Sequence, residues 1–175
     1  MAKGWKVDGL APDRQALECA RSIVLTRFKE ALSHTVGVYA DSDIEDVHNY
    51  RVSLRRLWAA LKVFEPCFED SQELRRLLKK TRKLARRLGA VRDLDVMIEK
   101  LKEQKAQNQN EAALFTLLIE DCRRRRAKRF IRLVKMMKRM EAKQFEYEFV
   151  RFFSHGNEHT EQSLRQIPTL GSEVL

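Results

Sequence analysis

Glycine and proline are scarce in this chain, and their scarcity limits the fold more than any other feature. The 175 residues include only 6 glycines and 3 prolines, so long stretches contain no strong helix breaker. Hydrophobic residues make up 43% of the chain, enough for a buried core, and charged residues make up 34%. No segment of any length alternates apolar and polar residues as a strand does. We therefore predict an all-α protein, an antiparallel bundle of about four to five helices.

The few breakers divide the helical pattern into five predicted helices. Asp13 is the predicted cap of the first helix, which we expect to end near Gly37. Gly89 is a predicted stop after the third helix, and Asp93 is the predicted cap of the fourth. The predicted spans are residues 13–37, 44–64, 71–88, 93–105 and 111–153, with one break allowed in the last.

The pattern at the two ends predicts a single helical domain with loose extensions. We predict an arm over residues 1–12, a domain over 13–155 and a flexible tail over 156–175. No window approaches 18 apolar residues and the N-terminus has no apolar signal region, so we expect neither a membrane span nor a signal peptide. Three scattered cysteines fit reduced thiols in a cytoplasm: Cys19, Cys67 and Cys122.

The net charge of +10 comes from 35 basic residues set against 25 acidic ones. A positive field of this kind attracts polyanions and raises the rate at which they associate. Nucleic acid, polyphosphate and anionic lipid all carry the complementary charge, so the sign alone selects none of them.

A row of cations lies beside the apolar face of the predicted second helix. At about 100° per residue, Tyr50, Leu57 and Leu61 share the core arc, and Trp58 lies at the edge of the cationic row. An arc of roughly 60° beside the core arc contains His48, Arg51, Arg55 and Lys62. A solvated helix face usually mixes the two signs of charge, and this row contains no acidic residue. The row therefore favours a binding surface over a merely solvated face.

Two further predicted helices repeat this pattern. Between Arg75 and Arg87 there are eight basic residues and no acidic one, and one stripe contains Arg75, Lys79, Arg82 and Arg86. The segment from Arg123 to Arg139 contains ten basic residues and no acidic one. Arg123 and Arg126 fall in the apolar sector of that helix, where a guanidinium must be paired, must reach out to solvent, or must line a wet channel between helices.

Two motifs resemble the signatures of the CHAD family, the conserved histidine α-helical domain. His48-Asn49-Tyr50-Arg51-Val52-Ser53-Leu54-Arg55-Arg56 resembles that family's H-x-x-R-V-x-x-R-R pattern. Leu88-Gly89-Ala90-Val91-Arg92-Asp93-Leu94-Asp95-Val96 resembles its L-G-x-x-R-D-x-D-V segment. The resemblance covers roughly residues 13 to 153.

The resemblance implies a helical bundle that binds inorganic polyphosphate in a basic groove, with no catalysis and no cofactor. By motif it implies these phosphate ligands: His48, Arg51, Arg55, Arg56 and Arg82. The stripes add these: Lys62, Lys79, Arg86, Arg123 and Arg126. Arginine suits phosphate because its planar fork donates two hydrogen bonds to one phosphoryl group. We expect a cytoplasmic protein that can associate with polyphosphate granules.

The chain departs from the family in two respects. Trp58 occupies a position where the family commonly has another arginine. Family domains are also about twice as long, so the chain resembles half of a double bundle. We therefore expect a homodimer, or a second protein that completes the bundle. Six residues crowded into nine support this expectation by predicting an exposed patch: Phe145, Tyr147, Phe149, Val150, Phe152 and Phe153. The alternative is that these side chains fold back on the first helix.

Other functions fit the residues less well. Asp93 and Asp95 could hold a metal, but an acidic residue at a helix start is more often a cap. His155 and His159 have zinc-like spacing without a third ligand, so we expect no metal site. A nucleic-acid-binding bundle is the main alternative function and rests on net charge alone. An enzyme acting on phosphates would lack a metal-holding acidic cluster, and a purely structural bundle would leave the stripes unexplained.

Overall fold

The computed structural model describes residues 4–11, 13–41 and 43–154, and its α-helices form a bundle. They are α1 (Ala16–Leu32), α2 (Thr35–Ala40), α3 (Ile44–Phe64), α4 (Gln72–Gln107), α5 (Ala112–Ala142) and α6 (Phe145–Ser154). Short 3-10 turns connect α3 to α4 and α4 to α5. The predicted all-α bundle is confirmed. Within the described residues, no helix has the length and apolar character needed to cross a membrane. The predicted tail and the His155 and His159 pair lie outside the described residues.

Side-chain caps fix the starts of α3 and α4. Asp43 accepts a hydrogen bond from the Glu45 amide at 2.8 Å, so α3 begins immediately after it. Ser71 accepts from the Leu74 amide at 3.1 Å and starts α4 in the same way. The predicted cap at Asp13 is wrong, because α1 begins after Gln15 without a side-chain cap.

Gly37 does not end the first helix as predicted. The chain leaves α1 after Leu32, and Gly37 lies inside the short helix α2. A Cβ atom at Gly37 would come within 2.5 Å of the Asp46 carboxylate, so any other residue there would force the Asp46 side chain to move. The chain turns out of α2 at Asp41, which has the left-handed φ of 46°.

Gly89 does not stop the third predicted helix, and Asp93 does not cap a fourth. Both residues lie inside α4, a single helix of 36 residues. An interior glycine costs a helix roughly 0.5–1 kcal/mol relative to alanine. Leu88 and Val91 are fully buried on either side of Gly89, and their burial outweighs that cost.

The last predicted helix is broken once, at Lys143 and Gln144. Gln144 has a left-handed φ of 51°, which turns α6 back toward α1. The rings of Phe28 and Phe149 stack there with their centroids 3.8 Å apart. The predicted exposed aromatic patch is therefore wrong, because only Tyr147 is exposed and these are buried: Phe145, Phe149, Val150 and Phe153.

The long helices α4 and α5 form a hairpin with two distinct parts. Residues 75–92 and 123–139, here called the stem, contribute to the main core beside α1, α3 and α6. Residues 93–122, here called the tip, include a smaller core. Its buried members all come from α4 and α5: Leu94, Ile98, Ile119 and Cys122.

Candidate functional site

The cations of α3 meet α4 at its single glycine. Arg51 extends over Gly89, and its Nε lies 3.6 Å from the position that a Cβ atom would occupy. This distance is an ordinary van der Waals contact, so the Arg51 side chain packs on the turn of α4 that contains Gly89. Trp58 is half-buried, and its side chain packs on the main core.

Two basic stripes therefore lie on neighbouring helices. The α3 stripe comprises His48, Arg51, Arg55 and Lys62. The α4 stripe comprises Arg75, Lys79, Arg82 and Arg86, and Nη1 of Arg75 lies 2.6 Å from the Asp70 carboxylate. Since α3 and α4 are joined by a short turn, they pack as antiparallel neighbours, and Arg51 of α3 contacts α4 at Gly89. Most of these side chains are exposed, whereas His48 and Arg51 are half-buried.

Six of these eight cations have no anionic partner within the part of the chain that the structure describes. Among the described residues, no ion pair or side-chain hydrogen bond involves His48, Arg51, Arg55, Lys79, Arg82 or Arg86. Lys62 differs, because its Nζ lies 2.6 Å from a Glu65 carboxylate oxygen. Like charges on neighbouring helices repel each other, so these six positions favour an anion from outside the chain.

Arg56 points away from this set, toward α1. Its Nη1 donates to Glu30 of α1 at 2.6 Å, and Arg27 donates to the same carboxylate at 2.6 Å. Burial of Glu30, which is 1% exposed, raises its pKa, but the bonds from Arg27 and Arg56 hold it below the usual value. The amide of Trp5 also donates to Glu30, so this cluster attaches the N-terminal arm to the bundle.

Arg126 is paired with two carboxylates. Its Nε donates to Asp95 at 2.5 Å, its Nη2 donates to Asp41 at 2.9 Å, and its guanidinium lies over the Phe130 ring. Burial raises the pKa of Asp95 even though Arg126 opposes the shift. An arginine in the apolar sector of α5 must be paired, must reach solvent or must line a wet channel, and Arg126 is paired. Arg123 is exposed, and no described residue forms an ion pair with it.

The other basic stripe of α4 is partly neutralised by α6. Glu148 accepts from Lys80 at 2.8 Å and lies 3.0 Å from Arg76. The hydrogen bond from Lys80 is the main reason that the pKa of Glu148 falls below its usual value. These cations therefore help to hold α6 on the bundle.

Arg129 is a candidate site residue that the sequence did not single out. Its Nη1 donates to the carbonyl oxygen of Ala90 at 3.2 Å, next to the Gly89 position that Arg51 covers. Arginines from α3 and α5 thus approach the same turn of α4. Arg129 lies within the basic segment from Arg123 to Arg139, but helical periodicity could not distinguish it from the other cations of that segment.

The comparisons with known proteins give one family. The family model of the CHAD domain matches residues 22–171, which is most of the chain. Searches of curated proteins and of solved structures find no match. The family match covers both motifs, the two basic stripes and every helix from α2 to α6. On this match, the chain belongs to the CHAD domain family.

Proposed function

We propose that this protein binds inorganic polyphosphate, without catalysis, in a basic groove between α3 and α4. One wall is His48, Arg51 and Arg55, and the facing wall is Lys79, Arg82 and Arg86. The observation that carries the proposal is the absence of anionic partners for these six side chains within the described part of the chain. CHAD domains are linked with polyphosphate-related proteins, which supports this choice of polyanion.

The remaining predicted ligands have a different role in this proposal. Arg56 and Arg126 hold the scaffold through Glu30, Asp41 and Asp95. Lys62 is held by Glu65 at the end of α3, and Arg123 lies outside the groove on α5. Arg129 extends the groove past Gly89.

The groove chemistry favours polyphosphate over nucleic acid. Arginine forks can each donate two hydrogen bonds to a phosphoryl group, and the imidazole of His48 can donate one. Binding of single strands usually relies on aromatic side chains that stack on bases. Trp58, the aromatic residue beside the α3 stripe, packs on the core instead. Polyphosphate also offers phosphate charges without bases that need a stacking surface.

A competition titration tests this proposal. Long-chain polyphosphate, duplex DNA and RNA are titrated at equal phosphate concentration and equal salt. We expect polyphosphate to bind most tightly, and its affinity to fall steeply with salt because several counterions are released. Equal or tighter binding of DNA or RNA would support the nucleic-acid alternative. A flat salt response would exclude the basic stripes as the site.

The proposal extends to assembly and location. A chain that resembles half of a double bundle completes it by pairing with a second copy or with another protein. The buried aromatics of α6 do not supply that contact, so a different surface is needed. We place the protein in the cytoplasm, in association with polyphosphate granules. Light scattering at micromolar concentration and imaging of a labelled chain test these two points.

A further inference from the structure

The hairpin tip is acidic and exposes leucines. Residues 93–122 contain seven acidic and three basic residues, in a chain that is otherwise strongly basic. Leu114, Leu117 and Leu118 are exposed, and Leu117 is 64% exposed. Their i, i+3, i+4 spacing places them on one side of α5. A helix with leucines at this spacing is suited to docking in an apolar groove.

An apolar depression on the stem has the complementary character. Its volume is about 600 Å³, and Phe130, Ile131 and Val134 of α5 line its floor. Ile131 is 66% exposed, which is unusual for an isoleucine beside other apolar side chains. Three cations surround the floor: Lys135, Lys138 and Arg139. No described residue forms an ion pair with any of the three.

We propose that the tip of one copy docks in the apolar depression of a second copy. The exposed leucines of α5 would cover the apolar floor, and Glu111 and Glu120 would approach the surrounding lysines. Opposite charges of this kind steer two surfaces together and fix their register. This contact would be the interface of the self-association proposed above. It uses none of the six cations of the polyphosphate groove.

The contact joins two different surfaces of the chain, so it is a head-to-tail contact. Such contacts either close into rings or continue along a chain of copies. One side of a helix in a shallow depression buries less than the roughly 1,200 Å² that separates weak from stable interfaces. We therefore expect association that grows with protein concentration in the micromolar range and weakens with salt.

Complementation between two variants tests the inference. Leu117→Lys disables the tip, and Ile131→Asp disables the depression. Both positions are exposed, so the bundle should fold normally, which circular dichroism checks. Val63→Lys and Val63→Asp are matched controls, because Val63 is 69% exposed on α3 and belongs to neither surface. Sedimentation velocity over a range of concentrations is measured for each variant and for an equimolar mixture.

We expect the average mass of the wild type and of both controls to rise with concentration. Each disabled variant should associate at least tenfold more weakly. The mixture should restore a one-to-one complex and stop there, because each partner lacks the surface needed to add another copy. A mixture that stays monomeric would overturn the inference in favour of another occupant of the depression. Weaker association of the tip variant alone would overturn it in favour of tip-to-tip pairing.

Failure of this contact can be distinguished from failure of the earlier proposals. A wild type that remains monomeric would overturn both the docking contact and self-association. Variants that keep the wild-type mass would overturn only the docking contact. Polyphosphate titration of the same variants should give wild-type affinity in either case, because neither position belongs to the groove.

Discussion

The stem and the tip of the α4–α5 hairpin are built from the same two helices but differ in charge and in packing. The stem contains nineteen basic residues and no acidic one, whereas the tip has a net charge of −4. The stem belongs to the main core, whereas the smaller core of the tip draws its buried residues from α4 and α5 alone. The boundary between them runs through Arg126 of the stem and Asp95 of the tip, which form an ion pair whose carboxylate is buried.

A high density of cations in the stem does not by itself define a ligand-binding site. Within the stem, Arg126 and Lys80 are neutralised by carboxylates from other elements and hold the bundle together. Arg82 and Arg86 lie close to Lys80 in the sequence and have no partner among the described residues. The cations available to a ligand are identified by which partners the fold supplies, rather than by their place in a basic run.

Breaking the boundary pair should have the largest effect. Arg126→Ala leaves Asp95, which is 2% exposed, as a buried charge without its cation. We expect a loss of about 3–5 kcal/mol in unfolding free energy, measured by urea denaturation at pH 7. A loss below about 1 kcal/mol would show that the pair contributes little to the fold.

The pH dependence of this variant sharpens the prediction. The pKa of Asp95 is already raised by burial in the folded protein, and removing Arg126 should raise it further. A carboxyl group with a raised folded pKa binds more protons in the folded state than in the unfolded state. Stability therefore falls as the pH rises through that pKa. The deficit of the variant should shrink when unfolding is repeated near pH 4.

Removing one unpartnered cation from the stem should weaken polyphosphate binding. Arg82→Ala removes an exposed side chain of the proposed groove, with an expected cost of about 1.5–3 kcal/mol, or roughly tenfold or more in Kd. Lys102→Ala is the matched control, because it removes an exposed cation of the same helix in the tip. Titration calorimetry should find the control within twofold of wild type. Equal losses for both variants would mean that net charge, rather than the groove, governs affinity.

The smallest effect is expected at the glycine of the stem. Gly89→Ala places a methyl group 3.6 Å from Nε of Arg51, which is an ordinary contact distance. Alanine also favours the helix by roughly 0.5–1 kcal/mol over glycine. We therefore expect a slightly higher melting temperature and a Kd within about threefold of wild type. A fall in melting temperature would show that Arg51 cannot share this turn with a side chain.

Much of the fold was predictable from local signals. The scarcity of helix breakers predicted an all-α bundle, and the helix predicted over residues 44–64 matches α3. A glycine such as Gly89 is compatible with a helix stop and with a helix interior, so the local sequence does not decide between the two. The burial of Leu88 and Val91 decides between them, and burial depends on helices distant in the sequence.

The basic stripes were predictable from the sequence. Which of their cations are paired within the fold, and which are available to a ligand, was not. The partners of Arg56 and Arg126 lie 26, 31 and 85 residues away in the sequence, so helical periodicity could not reveal them. The aromatics of α6 present the same difficulty, because the turn at Gln144 decides which surface they cover. Asp41 and Asp95 carried no distinguishing local pattern for pairing with Arg126.

The most direct test compares two adjacent arginines of α3. Arg55 is exposed without a described partner, whereas Arg56 is bonded to the buried Glu30. Polyphosphate affinity and melting temperature are measured on the same samples of Arg55→Ala and Arg56→Ala. We predict that Arg55→Ala raises Kd by tenfold or more at an unchanged melting temperature, and that Arg56→Ala mainly lowers the melting temperature. An unchanged Kd for Arg55→Ala, or an equal loss of affinity in a stable Arg56→Ala protein, would contradict the division between ligand-binding and scaffold cations.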